Sequence, residues 1–282
     1  MPMTDAKRFD APGRPSLAYD DIGDAGSPPI VLLHGGTVDR TTWRDFTPEL
    51  ATAYRVLALD QRGHGESGRA PGEYRIEHFT GDVAAFIEQV LGGPAAVAGH
   101  SLGAMVAAHL AATRPDLVER AFLVDPPIYL GVGDSEPPAF LAFFPVLKQL
   151  LDDLHARHGT VEELAALIGN LPNTFSGGTL ADALGEERLH GAAAAWHRFD
   201  TEVLAGLDST WDAYDPTVPM TCPVHLLRAE PGQAAFPPEH EERFLTTHPK
   251  ATVELVDGAS HLIPVEQSER LLAALRAFLV SG

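Results

Sequence analysis

The chain has 282 residues, is 45% hydrophobic and carries a formal net charge of −19. That length suits one large α/β domain, alone or with an inserted subdomain, and the apolar fraction suffices for a sizeable core. The acidity is spread along the chain and argues against binding to a nucleic-acid backbone, while the single cysteine, Cys222, excludes an internal disulfide.

A polar N-terminal stretch from Met1 to Ala6 leads into no apolar signal core, and no run is long enough to span a bilayer. With the lone thiol, this predicts a cytoplasmic protein that does not enter membranes. Arg8 to Ile22 reads as a hairpin turning at Pro12-Gly13-Arg14-Pro15. Ile30 to Leu33 and Arg55 to Leu59 are unbroken apolar runs, the pattern of strands buried on both faces. They end at His34-Gly35-Gly36 and at Asp60. Phe79 to Leu91 has helical spacing, with Phe79, Val83, Phe86, Ile87 and Val90 on one side. Ala95 to Ala98 is a short strand, and Ala104 to Ala112 an alanine-rich helix. Ala121 to Val124 is a further strand ending at Asp125-Pro126-Pro127.

The alternation then stops. From 128 to 215 the pattern is helical, broken by Gly and Pro, with helices expected over Ala139–Arg157, Val161–Ile168 and Ala192–Leu207. Strands return at Val224–Leu227, which Cys222 is expected to open as a small buried hydrophobe, and at Thr252–Val256. A last amphipathic helix carries Leu271, Leu272, Leu275, Phe278 and Leu279. The expected architecture is α/β: a mostly parallel sheet flanked by helices, formed by 1–127 and 216–282, with a helical cap of 128–215 inserted between two strands.

Between strand and helix at 95–112 stands Gly99-His100-Ser101-Leu102-Gly103, a Gly-x-Ser-x-Gly stretch. A strand, a sharp turn and a helix lift the serine onto a strained elbow with its hydroxyl exposed. The helix N-terminus beside it favours a negative oxygen. A serine hydroxyl is a weak nucleophile, so it needs a base, and the base needs a carboxylate to orient it. Polar groups gather where strands end, the usual place for ligands in open α/β sheets: His34, Asp60, Ser101, Asp125, Glu230 and His261.

These motifs resemble the α/β-hydrolase superfamily along nearly the whole chain. The resemblance rests on His34-Gly35-Gly36, on Asp60-x-Arg62-Gly63-His64-Gly65-x-Ser67, on the serine stretch, and on Gly258-Ala259-Ser260-His261. It implies Ser101 as nucleophile, His261 as base, and the backbone N–H groups of Gly36 and Leu102 as an oxyanion hole. His34, Arg62 and His64 read as structural, and His100 as packing or hydrogen bonding behind the nucleophile. The acid departs from the family pattern. It usually follows the strand after the cap, yet Gly232 and Gln233 stand where many relatives carry aspartate. Glu230, the only carboxylate of that turn, comes early, and Asp257 reads as a turn residue before Gly258. Some members carry the acid at the end of the preceding strand, so Asp125 is assigned, with Glu230 as the alternative.

The resemblance implies a serine hydrolase that cleaves a small or medium, mostly apolar carboxylic ester or lactone through an acyl-enzyme. Carbon–carbon bond hydrolases, thioesterases and perhydrolases use the same triad, and a ligand receptor on this scaffold is a further alternative; aspartate-nucleophile enzymes are disfavoured by the serine. No cofactor and no metal is expected, since the histidines form no ligand spacing. Phe140, Phe143, Phe144, Trp196 and Trp211 are candidates to line an apolar pocket, though each singly reads as cap packing. Nothing in the sequence bears on oligomeric state.

Overall fold

A computed structural model of the chain describes residues 6–129, 143–173, 177–205 and 215–281. β1 (Lys7–Phe9) and β2 (Leu17–Ile22) form the opening antiparallel hairpin. β3 (Pro29–Leu33), β4 (Arg55–Leu59), β5 (Ala95–His100), β6 (Val118–Val124), β7 (Val224–Arg228) and β8 (Ala251–Leu255) complete one eight-stranded sheet of order β1-β2-β4-β3-β5-β6-β7-β8. β2 meets β4 antiparallel, and every neighbouring pair among β3–β8 is parallel.

The unbroken apolar runs divide their side chains between two faces. In β3, Val31 and Leu33 join a core that includes α2 (Ile76–Phe86) and α3 (Leu102–Thr113), whereas Ile30 and Leu32 face the other core with Leu271, Leu275 and Leu279 of the C-terminal helix. α9 spans Ser268–Val280, and each of those leucines, taken out of water, contributes roughly 1.5–3 kcal/mol. The single-turn helices α1 (Thr47–Leu50) and α8 (Ile263–Glu266), with α7 (Glu241–Thr247), complete the surround of the sheet.

Several boundaries differ from the sequence reading, each for a local reason. The helix expected from Phe79 begins at Ile76 and passes through a π-turn at Ile87–Leu91, which closes on Gly92 in the left-handed region at φ 71°. The strand after Cys222 starts at Val224, because Pro223 has no N–H for the ladder and supplies only its carbonyl, to Ala121; Cys222 itself is buried. Between β6 and β7, the described residues hold α4 (Phe143–Ala156), α5 (Val161–Gly169) and α6 (Leu180–Arg198) and no strand of the sheet. α6 takes in the first part of the helix expected over 192–207, and helical backbone resumes at 202–205 after the break at Phe199. α6 starts earlier because Thr179 and Asp182 form a capping box, tolerates Gly185 as a kink, and stops before Phe199, which is extended. Residues 139–142 and 206–207 of the expected helices, with Phe140 and Trp211, lie outside the described residues.

Register decides where the chemistry falls. Leu33 of β3 pairs with Gly99 of β5, His100 with Val124 of β6, and Val124 with Leu227 of β7. His34, Ser101, Asp125 and Ala229, the first residues beyond β3, β5, β6 and β7, therefore emerge together at one edge of the sheet.

Candidate active site

The turn from β5 into α3 is held by close backbone approach. A methyl group at Gly99 would collide with the Gly103 carbonyl, and one at Gly103 would collide with the Leu33 carbonyl. This forces Ser101 to φ 51°, ψ −115°, outside the regions most residues adopt, at a cost of order 1–3 kcal/mol. Leu102 is the first residue of α3, and its N–H belongs to the helix's free first-turn donors.

Ser101 Oγ lies 3.0 Å from His261 Nε2, and His261 Nδ1 lies 2.6 Å from Asp125 Oδ2. The carboxylate must accept from Nδ1–H, which leaves the Nε2 lone pair facing the serine hydroxyl. Asp125 is fully buried, and its own φ is 45°. It is held by backbone donors: Ala229 N–H at 3.2 Å and Phe236 N–H at 3.3 Å to Oδ1, and Ala235 N–H at 2.7 Å to Oδ2. The loop after β7 thus cradles the carboxylate of the neighbouring strand, and the His261 N–H donates to Gln233 O of the same loop at 3.1 Å. Glu230 points elsewhere. Its carboxylate accepts the Gly258 N–H at 3.1 Å, and its N–H donates to Ala259 O, so it braces the turn that delivers His261.

The other singled-out residues hold loops. His34 Nδ1–H donates to Gly35 O and Nε2 accepts from Gln61 N–H, tying the loop after β3 to the one after β4. Arg62 makes two bonds to the buried Asp82, at 2.7 and 2.8 Å, and His64 Nδ1–H donates to Arg62 O. His100 Nε2–H donates to the carbonyl of His261 at 2.8 Å, and its ring lies 4.9 Å from the His261 ring and against Gly35. Burial pushes His34 and His64 down from the ordinary histidine range and His100 down to about 3, so all three stay neutral.

Gly35, Gly36, Ser101, Leu102 and His261 line a cavity of about 280 Å³. Phe143, Phe144 and Trp196, three of the suggested aromatic residues, line it too, with Ile168, Leu180 and Leu184 from the helices between β6 and β7. Sequence reasoning missed Asp39. It is nearly buried, caps the 3-10 turn Arg40–Trp43 and receives Arg198 Nη2 of α6 at 2.8 Å. Only the Asp39-x-Thr41 cap spacing was there to be read; the ion pair was not.

Residues 30–274 match the model of the alpha/beta hydrolase family. The chain belongs to this family. The acetyltransferase component of an acetoin cleaving system from Pseudomonas putida is 26% identical over 93% of this chain, and the chain spans 66%, just under two thirds, of that protein's length. An sn-1-specific diacylglycerol lipase of Mus musculus is 27% identical over 93% of this chain and 85% of its own. The solved enol-lactonase from Burkholderia xenovorans LB400 superposes at a TM-score of 0.75 with 23% identity, covering 98% of this chain and all of that one, a likeness of fold.

Among the described residues, no helix is long and apolar enough to cross a membrane. Among the same residues, no group of three or more His, Cys, Asp or Glu side chains is set to hold a metal ion.

Proposed function

We propose that this hydrolase cleaves a carboxylic ester or lactone with Ser101 as nucleophile, His261 as base and Asp125 as the orienting acid. One observation carries the reading: the hydrogen-bonded series Ser101–His261–Asp125 opens onto an apolar cavity at the sheet's carboxyl edge. The Ser101 proton moves to His261 Nε2 as Oγ adds to the carbonyl carbon. The oxygen that becomes negative is taken by the N–H groups of Gly36 and Leu102, and one such donor supplies about 3–4 kcal/mol in related sites. As the tetrahedral adduct collapses, Nε2 returns its proton to the leaving alkoxide, and the acyl group stays on Oγ. Water, losing a proton to the same Nε2, then adds to the acyl carbon, and as the C–Oγ bond breaks Nε2 returns the proton to Ser101 Oγ and the acid leaves. Asp125 accepts the Nδ1–H and stabilises the imidazolium in both halves.

Residues 128–215 act in this reading as a cap that shapes the cavity. Its volume, at the small end of small-molecule sites, and its phenylalanine, leucine and tryptophan lining favour a small, mostly apolar acyl or alcohol group over a polymer. The reaction calls for no metal or cofactor, because serine and imidazole supply nucleophile and base.

Ser101→Ala tests this directly. It should lower kcat on p-nitrophenyl butyrate by about four to six orders of magnitude, with an unchanged melting curve, and abolish labelling by a fluorophosphonate. Equal turnover by the wild type and Ser101→Ala would refute it.

A further inference from the structure

The mouth of the cavity is charged, although its interior is apolar. Arg44 and Asp45 stand on the sheet side, before α1, and Glu187 and Arg188 stand opposite on α6, just past the kink at Gly185. They pair crosswise. Arg44 Nη2 meets Glu187 Oε1 at 3.0 Å, and Arg188 Nη2 meets Asp45 Oδ2 at 3.4 Å. Arg44 Nε also approaches Asp45 at 3.7 Å, and Arg188 Nη1–H donates to Val265 O at 3.2 Å. Thus both arginines that line the cavity are held by carboxylates. The third acid in the lining, Asp39, is held by Arg198 and by Thr41.

An anion entering this site meets no unpaired arginine or lysine among the described residues lining it. To bind, it must compete with the carboxylates already held by both arginines, shed its own water in an apolar interior, and approach a molecule of net charge −19. A neutral ester meets none of these penalties. We propose that the site selects uncharged substrates against carboxylate-bearing ones, and that the crossed pairs Arg44–Glu187 and Arg188–Asp45 set this selection. The inference rests on the ester-hydrolase reading of Ser101 and adds a substrate class and its determinants.

The test compares kcat/KM for p-nitrophenyl butyrate with that for p-nitrophenyl hemisuccinate, in which a carboxylate replaces the terminal methyl group. The methyl ester of the hemisuccinate controls for bulk, and a butyrate ester with the carboxylate on the nitrophenyl ring examines the leaving-group side. The wild type should favour the uncharged member of each comparison by about 100-fold. Asp45→Asn with Glu187→Gln frees both arginines and should narrow that ratio by about tenfold, while each single variant narrows it less. Wild-type ratios within about threefold of one, or a folded double variant that leaves them unmoved, would overturn the proposal. If Ser101→Ala retained full turnover, the underlying reading would fall instead.

Discussion

At the residue scale, Asp125 and Glu230 separate by what surrounds each carboxylate. Asp125 accepts three backbone N–H groups and the imidazole N–H in full burial. An amide there has one oxygen for these four donors and turns its own N–H toward at least one of them. Asp125→Asn should therefore fold with a stability loss of about 1–3 kcal/mol. Its kcat should fall by about 10⁴, because the imidazole no longer presents a lone pair to Ser101. Glu230 meets a backbone N–H at a turn, so Glu230→Gln keeps an acceptor and should cost less than about threefold in kcat. Steady-state kinetics and thermal melts of the two variants check both outcomes, and a reversed order would move the acid to Glu230.

At the element scale, the ends of α6 and the loop after β3 are joined. Arg198, the last residue of the helix, reaches Asp39 two residues beyond Thr37, which is itself at φ 68°. The chain then turns back onto the sheet: Asp200 N–H donates to Gly63 O at 2.8 Å, and Tyr74 donates to the Asp200 carboxylate at 2.6 Å. Because Gly36 lies in the loop that Asp39 closes, the pair couples helix position to the proposed oxyanion donor. Arg198→Gln should lower kcat by about tenfold and weaken a boronic acid mimic of the tetrahedral adduct to the same degree, with KM little changed. A rise in KM alone would assign Arg198 to shaping the cavity instead.

At the scale of the whole molecule, stability should depend on pH through histidines kept neutral by burial. His34, His64 and His100 all have pKa values lowered by desolvation in the folded chain, His100 to about 3. In the unfolded chain they titrate near 6.5. Below that pH the unfolded state binds protons that the folded state refuses, so unfolding becomes easier as pH falls. Their contribution is intact above about pH 6.5 and declines through the acid range. Asp21, held down to about 2 by Arg55, adds a further loss once pH drops below the ordinary carboxylate range. The melting temperature should be flat between about pH 7 and 8 and fall steadily below about 6.5, with net proton uptake on unfolding. A melting temperature unchanged at about pH 5 would contradict this account.

Much of this molecule is readable from short stretches of chain. Apolar runs four or five residues long make strands wherever both faces are covered, and the spacing of Leu271, Leu275 and Leu279 makes a helix that covers one of them. Gly99-x-Ser101-x-Gly103 specifies its elbow because the steric conflict that strains Ser101 arises within a few residues, with the Leu33 and His34 carbonyls as the distant participants. The extent of α6 was less legible, since Gly185 and Gly191 interrupt its pattern while the Thr179 cap and the pull of Asp200 toward Gly63 set its ends. The partner of His261 could not be read locally at all. Asp125 and Glu230 are both carboxylates beyond strand ends; the sequence assigns Asp125 only by resemblance and strand-end position, and the β6–β7 register with the inward turn of the 229, 235 and 236 amides is what seats it against the imidazole. The crossed ion pairs at the cavity mouth join residues 143 positions apart. Sequence determined which groups exist and which local backbone they ride on; only the folded sheet and the helices above it decided which charges meet, because electrostatic partnership depends on distance in space.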